Sequence, residues 1–382
     1  MQEDFTFYLL AFFIAFSVSL LLTPYTKTLS KKLNVLATPN ERSMHKEPKG
    51  LLGGVAIFAG FYAGVLLLFF YTPDLQGMPR EIFYKEFTGF LIGGVLIFIV
   101  GLLDDKYTMP AKVKLFCQIV VAVVVISFGI TVDFIDYPLT VPIEAQWLNK
   151  GITLIWIVGI INAMNIIDGI DGLAAGVSAI SSLFLTVLCF LSGSPISVIL
   201  SASLAGSCLG FLPRNFYPSE IFMGDTGAMF LGYVLSVASI LGLFKSYALL
   251  SIVISVLVLA FPIFDVGFAM IRRLLSGKPI MTADRGHLHH RIYDAGFNEK
   301  QTVAILYCVS FVCAMLALVI AVRDYRAVLL LILCVFVLFA ISISYKVKNA
   351  KLRASMKDTE KKLNKEQKEK DSNDIDENRH NV

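Results

Sequence analysis

Charged residues are scarce in this chain of 382 residues. Lysine, arginine, aspartate and glutamate together make up 16% of it, whereas hydrophobic residues make up 56%. An ordinary soluble protein has about a quarter of its residues charged, so the composition excludes that class. The net charge of +4 is small for this length, and it gives no reason to expect a nucleic-acid partner.

Cysteine and histidine are also rare, with six and five residues. All six cysteines lie within apolar segments, and their spacing matches neither a disulfide framework nor a zinc site. We interpret them as small apolar core residues. The N-terminal apolar segment lacks a preceding basic region and a clear small-residue cleavage site, so we expect it to be a retained membrane span rather than a signal peptide.

Long apolar runs are what the chain has in abundance. A helix that spans a bilayer needs about 20 mainly apolar residues, and about eleven segments approach this length. They are 5–23, 51–71, 88–103, 113–132, 151–167, 173–191, 197–212, 226–244, 248–268, 301–322 and 327–345. The sequence therefore predicts an all-α polytopic integral membrane protein with a transmembrane catalytic domain over 1–345. The charged remainder, 346–382, has few apolar residues, and we expect it to be disordered.

Lysine and arginine set the expected orientation. They concentrate in the loops 24–50 and 269–300 and in the tail after residue 345. Basic loops stay in the cytoplasm, so with eleven spans the N-terminus lies outside and the C-terminus lies in the cytoplasm. We expect a multi-pass protein of the cell membrane.

Two amides and two carboxylates lie where two strongly apolar segments meet. The residues are Asn162, Asn165, Asp168 and Asp171. Ionisable residues at the end of a membrane span indicate a functional site. Their spacing of three places them along one face for as long as the chain stays helical. Gly169 and Gly172 allow the chain to leave the helix and begin the next one.

Other acidic residues stand at predicted helix ends. Asp104 and Asp105 follow an apolar segment directly, and two adjacent like charges favour a metal or a shared proton, although they could simply end the helix. Asp225 precedes an apolar run, where it could cap a helix or bind metal. Asp265 follows Pro262, a residue that bends membrane helices, and both a structural and a functional role stay open for it.

Three of the five histidines cluster in the segment 284–291. Arg285 and Arg291 flank them, and these cations disfavour zinc. The same imidazole and guanidinium donors suit phosphate oxygens. The alternative is a basic cytoplasmic loop without a site. With the carboxylates and amides on the same predicted membrane face, the pattern indicates a Mg²⁺ site beside a diphosphate site.

Four motifs occur in order over about 24–300. They are Asp104–Asp105 with Lys114, the Asn162 to Gly172 run, Gly224–Asp225–Thr226–Gly227, and His287-x-His289–His290–Arg291. In these motifs the chain resembles the polyprenyl-phosphate N-acetylhexosamine-1-phosphate transferases of glycosyltransferase family 4, most closely those that make undecaprenyl-diphosphate GlcNAc. The resemblance implies transfer of sugar-1-phosphate from a UDP-N-acetylhexosamine, expected to be UDP-GlcNAc, to undecaprenyl phosphate, with release of UMP.

The resemblance also implies roles for particular residues and a Mg²⁺ cofactor, with Mn²⁺ as a substitute. The metal ligands are Asp225 and Asn162. The catalytic set is Asp104, Asp105, Asp168 and Asp171. The substrate-binding set is Asn165, Lys114, His287, His289, His290, Arg291 and His45. Membrane lipids are expected neighbours, and a homodimer is compatible with the sequence.

Three other functions stay open at this point. The related transferase of peptidoglycan synthesis, which uses UDP-MurNAc-pentapeptide, shares most of these motifs. A secondary transporter would place polar residues at the bilayer midplane and often repeats one half of its sequence. A membrane scaffold whose basic loops bind anionic lipid would leave Asn162, Asp168 and Asp225 unexplained.

Overall fold

The computed structural model of the protein describes residues 2–37, 48–66, 80–132, 143–243, 248–277, 287–322 and 326. By the contacts within the chain, the protein divides into two compact units, Met1–Asp324 and Tyr325–Val382. Nearly all described residues belong to the first unit. The last predicted span, 327–345, and the predicted disordered tail, 346–382, lie outside the described residues.

Helices account for most of the first unit. They are α1 Gln2–Lys32, α2 Gly53–Val65, α3 Arg80–Tyr107, α4 Ala111–Ser127, α5 Ile143–Ile167, α6 Leu173–Leu191, α7 Pro195–Asn215, α8 Gly224–Leu243, α9 Ala248–Val258, α10 Ala260–Leu275, α11 Leu288–Asp294 and α12 Glu299–Val322. Two short strands, β1 Leu36–Ala37 and β2 Lys49–Gly50, pair antiparallel. Apart from this ribbon, the all-α prediction is confirmed for the described chain.

Seven of the described helices are long and apolar enough to cross a bilayer. The pair Ser251–Val258 and Ala260–Leu275, bent by 84°, could count as an eighth span. These helices confirm a polytopic α-helical membrane protein. Ten of the eleven predicted apolar segments coincide with helices, although α2, with 13 residues, and α4, with 17, are shorter than an ordinary span.

Helix boundaries differ from the predicted segments in three places. The first helix continues through Pro24 to Lys32, so part of the predicted loop 24–50 is helical. The short segment 88–103 extends to 28 residues in α3. The segment 248–268, expected as one span, breaks at Leu259, because Pro262 in the first turn of α10 has no N–H to continue a helix that began earlier.

Helix α8 lies at the centre of the unit. In the most apolar 18-residue stretch of α8, 89% is buried inside the protein, whereas 22% of the corresponding stretch of α1 is buried. It packs on α3 and α5, and Tyr233 donates a hydrogen bond to the carbonyl of Phe90 at 2.7 Å. Gly54 of α2 and Gly101 of α3 contact the backbone at the start of α8, where a side chain would collide. These contacts bring the start of α8 beside the ends of α3 and α5.

Candidate active site

A cavity of about 390 Å³ lies where the end of α3, the α5–α6 turn and the start of α8 meet. Six acidic side chains line it: Asp104, Asp105, Asp168, Asp171, Asp225 and Glu299. The other lining residues are Lys49, Leu51, Thr108, Asn165, Gly169, Ile170, Asn215, Tyr217, Phe222 and Gly224. Such an excess of carboxylates in one partly enclosed space is unfavourable unless cations compensate it.

The carboxylate of Asp105 links α3 to α8 through hydrogen bonds. Its oxygens accept hydrogen bonds from the backbone N–H groups of Asp225 at 2.7 Å and Thr226 at 3.0 Å, and from the Thr226 hydroxyl. The first N–H groups of a helix lack partners within it, so Asp105 caps α8 from a neighbouring helix. The capping role that the sequence allowed for Asp225 is therefore carried by Asp105.

Lys114 on α4 bridges two carboxylates of the cavity. Its Nζ lies 3.2 Å from Oδ2 of Asp225 and forms a closer ion pair with Asp104. Asp104 is 2% exposed and also accepts a hydrogen bond from the N–H of Met109 at 2.7 Å. One lysine thus neutralises part of the charge and holds α4, α3 and α8 at a fixed separation.

The Asn/Asp run ends α5 and forms the turn to α6. Asn165, in the last turns of α5, donates a hydrogen bond to Asp225. The helix ends at Ile167, so Asp168 and Asp171 lie in the turn rather than along the helix face. Gly172, with φ of +80°, begins the return into α6, as the glycines of the motif predicted.

Asp168 faces the cavity without a hydrogen-bond donor among the described residues. Burial raises its pKa well above the ordinary value, and the negative charges of Asp225, Asp105 and Asp171 raise it further. A carboxylate in this position is stabilised in its charged form when a cation lies beside it.

The other end of the cavity combines a cation, a carboxylate and an aromatic ring. Lys49 lies 3.5 Å from Oδ2 of Asp171, donates to the Ser219 hydroxyl at 3.0 Å and stands 4.9 Å from the centre of the Phe222 ring. The N–H of Ser219 donates to the same Asp171 oxygen at 2.8 Å. The ribbon β1–β2 and a bridge between Gly50 and Ile221 hold Lys49 there.

Asn162 lies about one helical turn before Asn165, outside the residues that line the cavity. Its Nδ2 donates to Oε1 of Gln118 at 2.6 Å and to the carbonyl of Val158 at 2.8 Å. Gln118 on α4 is 1% exposed. The proposed role of Asn162 as a metal ligand stays a prediction, and the atom available for it is Oδ1.

Among the described residues of the histidine segment, neither His287 nor Arg291 lines the cavity. His287 contacts the carboxylate of Asp265 on α10, and Arg291 is exposed on α11. His289 and His290 belong to α11, but their side chains lie outside the described part of the structure, as does all of His45. The structure therefore brings together the predicted carboxylates, Asn165 and Lys114, while the predicted phosphate-binding role of the histidines stays untested.

The donor set of the cavity fits a hard divalent cation. Within the described ranges, no three histidine, cysteine or acidic side chains converge as a complete metal site. Mg²⁺ usually takes one or two protein carboxylates and completes its shell with water and substrate phosphates. The carboxylate of Asp225 is suited to such partial coordination, and Asp168 places a second carboxylate in the same cavity.

Several residues in or beside the site were not predicted from the sequence. Lys49 was one of many lysines in a basic loop, and Glu299 began an ordinary apolar helix. Gln118 was the one amide in the apolar part of α4, and this isolated polar residue was the available signal for it. Ser219 had none.

The fold and the site define a polytopic α-helical membrane protein with a carboxylate-lined cavity at helix ends. The family model described as glycosyl transferase family 4 matches residues 87–243, which include five of the six acidic residues of the cavity. The chain belongs to glycosyl transferase family 4.

Three relatives illustrate the range of that similarity. A Bacillus subtilis protein named "Probable undecaprenyl-phosphate N-acetylglucosaminyl 1-phosphate transferase" is 39% identical over 81% of this chain and 84% of its own length. The decaprenyl-phosphate N-acetylglucosaminephosphotransferase of Mycobacterium leprae is 32% identical over 73% and 75%. The phospho-N-acetylmuramoyl-pentapeptide-transferase of Chlamydia muridarum is 30% identical over 79% and 94%.

Proposed function

We propose that the protein transfers GlcNAc-1-phosphate from UDP-GlcNAc to undecaprenyl phosphate and releases UMP. The observation that carries the proposal is the carboxylate cavity, with Lys114 and Asn165 fixed around Asp225, in a chain similar to GlcNAc-1-phosphate transferases over most of its length. Phosphoryl transfer requires mainly positioning and charge neutralisation, and this set of groups supplies both.

The reaction is a displacement at phosphorus. An oxygen of the lipid phosphate attacks the β-phosphorus of UDP-GlcNAc, the bond to the bridging oxygen breaks, and UMP leaves with that oxygen and its electron pair. The second pKa of a phosphate monoester is about 6, so the acceptor is mostly dianionic at pH 7 and has little proton to lose. Asp104 and Asp105, already engaged by Lys114 and the start of α8, would orient the acceptor rather than act as a base.

Asp225 and Asn162 would hold Mg²⁺, for which Mn²⁺ could substitute. When bound, the ion would neutralise charge on the diphosphate oxygens. Lys114 would then keep Asp225 and Asp104 in place while the substrate enters, and Asn165 would orient the carboxylate of Asp225 through its amide.

The opposite end of the cavity would take the nucleotide. Lys49 and Asp171 present a cation and an acceptor, and the Phe222 ring offers a flat apolar surface for a base. Asp168 and Asn165 would border the diphosphate. The donors of His287, His289, His290 and Arg291 would bind the phosphate and sugar from the other side.

Turnover by the purified protein tests the function. The protein, given UDP-GlcNAc, undecaprenyl phosphate and Mg²⁺, should release UMP, and omission of the lipid should abolish the release. UDP-MurNAc-pentapeptide serves as the second donor, because a 30% identical relative carries the name of that transferase. Release from this donor alone would contradict the GlcNAc assignment, and release from neither would contradict the proposal.

We further propose eleven spans with the N-terminus outside and the cavity on the cytoplasmic face of the cell membrane. The bias of lysine and arginine supports this orientation. In a chain without native cysteines, Ser276→Cys should resist a membrane-impermeant thiol reagent in intact cells, whereas Gln76→Cys should react. The reverse labelling would contradict the orientation. A transporter is disfavoured, because the polar cluster lies at helix ends rather than in their middle.

A further inference from the structure

We propose that Asp265 is a positioning residue for the donor sugar nucleotide, acting through His287. Its carboxylate fixes the orientation of the His287 ring and the start of α11, and so determines how His287 meets the diphosphate. This inference rests on the proposed function.

Two contacts converge on this one carboxylate. Oδ2 of Asp265 lies 3.0 Å from Nδ1 of His287, and Oδ1 accepts a hydrogen bond from the N–H of Leu288 at 2.6 Å. The side chain of Asp265 is 3% exposed and that of His287 is 12% exposed. A single buried group therefore holds both the imidazole ring and the backbone that carries it.

The position of Asp265 in α10 makes it a rigid support. Asp265, Ala269 and Arg273 are buried at intervals of four residues, which places them along one face of the helix. Helix α10 packs against α5, which carries Asn165, and against α12. Helix α11 also packs against α12, whose first residue, Glu299, lines the cavity. The Asp265 contact thus links the histidine segment to helices that contribute to the cavity.

The chemistry of the pair favours a particular form of the ring. A carboxylate accepts hydrogen bonds only, so Nδ1 of His287 must carry a proton, and the nitrogen that Asp265 does not use is Nε2. A carboxylate behind a histidine commonly orients a ring that binds a ligand through its other nitrogen. A phosphate oxygen also accepts hydrogen bonds only, so binding it through Nε2 requires a proton on that nitrogen too, and a neighbouring carboxylate stabilises this charged form of the ring.

Asp265→Asn separates this role from simple capping of α11. The carbonyl oxygen of asparagine can still accept from the N–H of Leu288, but its NH₂ group cannot accept the proton on Nδ1. If Asp265 only caps α11, the Asn variant keeps nearly normal kinetics and only Asp265→Ala is impaired. If Asp265 acts through His287, the Asn variant is impaired as well.

The experiment is a double-mutant cycle on kcat and on KM for each substrate. The variants are Asp265→Asn, Asp265→Ala, His287→Ala and the combination of Asp265→Asn with His287→Ala. We expect Asp265→Asn to raise KM for UDP-GlcNAc about 10- to 100-fold and to leave KM for undecaprenyl phosphate within about twofold. The combined variant should be no worse than His287→Ala, because the carboxylate has no ring left to orient.

The outcomes distinguish the inference from the proposed function. Asp294→Asn, at the exposed C-terminal end of α11, is the matched control and should keep normal kinetics. A nearly normal Asp265→Asn, losses that multiply in the combined variant, or a defect in the lipid KM alone would each overturn the inference in an otherwise active protein. Absence of turnover by the unmodified protein would overturn the proposed function and the inference with it.

Discussion

Different contacts hold the carboxylate cavity and the histidine segment in place. In the cavity, contacts cross between helices: Asp105 joins α3 to α8, Lys114 joins α4 to both, and Asn165 joins α5 to α8. In the histidine segment, Asp265 of α10 contacts the His287 ring and accepts a hydrogen bond from the N–H of Leu288. Several helices therefore hold the carboxylates of the cavity in place, whereas a single carboxylate holds both the ring of His287 and the start of α11.

This difference predicts where substitutions cost most. We expect the carboxylates around the reacting diphosphate to act on the transition state, whereas residues that bind the nucleotide or support the histidine segment should act on how the donor binds. Losses in kcat should dominate for the first group and losses in KM for the donor in the second. The predictions below test this division, beginning with the largest effect.

Asp225→Asn should reduce kcat by roughly a thousandfold, because it removes the charged oxygen expected to bind Mg²⁺ at the reacting diphosphate. UMP release measured over a range of Mg²⁺ concentrations checks this expectation. Asn preserves the size of the side chain, and the capping contact to Asp105 uses the backbone N–H of this residue, so the protein should still fold. Nearly normal turnover with unchanged Mg²⁺ dependence would exclude Asp225 as a ligand.

Asp105→Asn should reduce turnover by about a hundredfold and also lower thermal stability. The reason is that the NH₂ group of asparagine cannot accept a hydrogen bond from the start of α8, as the replaced carboxylate oxygen does. Thr226→Val is the matched control, because it removes only the hydroxyl contact to the same carboxylate. We expect that control to lose no more than about tenfold. A stable Asp105→Asn variant with full loss of activity would favour a direct role for Asp105 over an anchoring one.

Lys49→Met should raise KM for UDP-GlcNAc about tenfold with little change in kcat, because the lysine pairs with Asp171 at the end assigned to the nucleotide. Lys300→Met is the control, since Lys300 is exposed and lies 5.9 Å from the Tyr217 ring at the edge of the same region. Equal effects of the two substitutions would indicate a general influence of positive charge rather than a contact.

Part of this site was predictable from the sequence because its residues stand at helix ends. Asp104, Asp105, Asp168 and Asp171 interrupt apolar runs, and an isolated polar group in such a run is visible without a structure. The bend before α10 was also predictable, because Pro262 lies within an apolar segment and has no N–H to continue a helix that began earlier.

The remaining contacts of the site depend on which helices pack together, and no local sequence pattern contains that information. Asp105 caps α8 through the N–H of Asp225, which lies 120 residues later in the chain. Lys49 is brought to Asp171 by a ribbon of two short strands. The contact between Asp265 and His287 likewise requires the return of the chain to α10. In each case the residue type was visible but its partner was not.

The smallest expected effect concerns pH and distinguishes orientation from base catalysis at Asp104. Between about pH 5 and pH 8 the dianionic fraction of a phosphate monoester rises about tenfold. If Asp104 were an obligatory base, the turnover of Asp104→Asn relative to the unmodified protein would rise by a similar factor, because the acceptor then loses its proton unaided. We expect that ratio to stay constant, since Asp104 is held by Lys114 and the N–H of Met109 and the acceptor already lacks its proton at neutral pH. A phosphorylated aspartate, trapped from UDP-GlcNAc without acceptor lipid and located by mass spectrometry, would instead establish a covalent route and contradict direct attack.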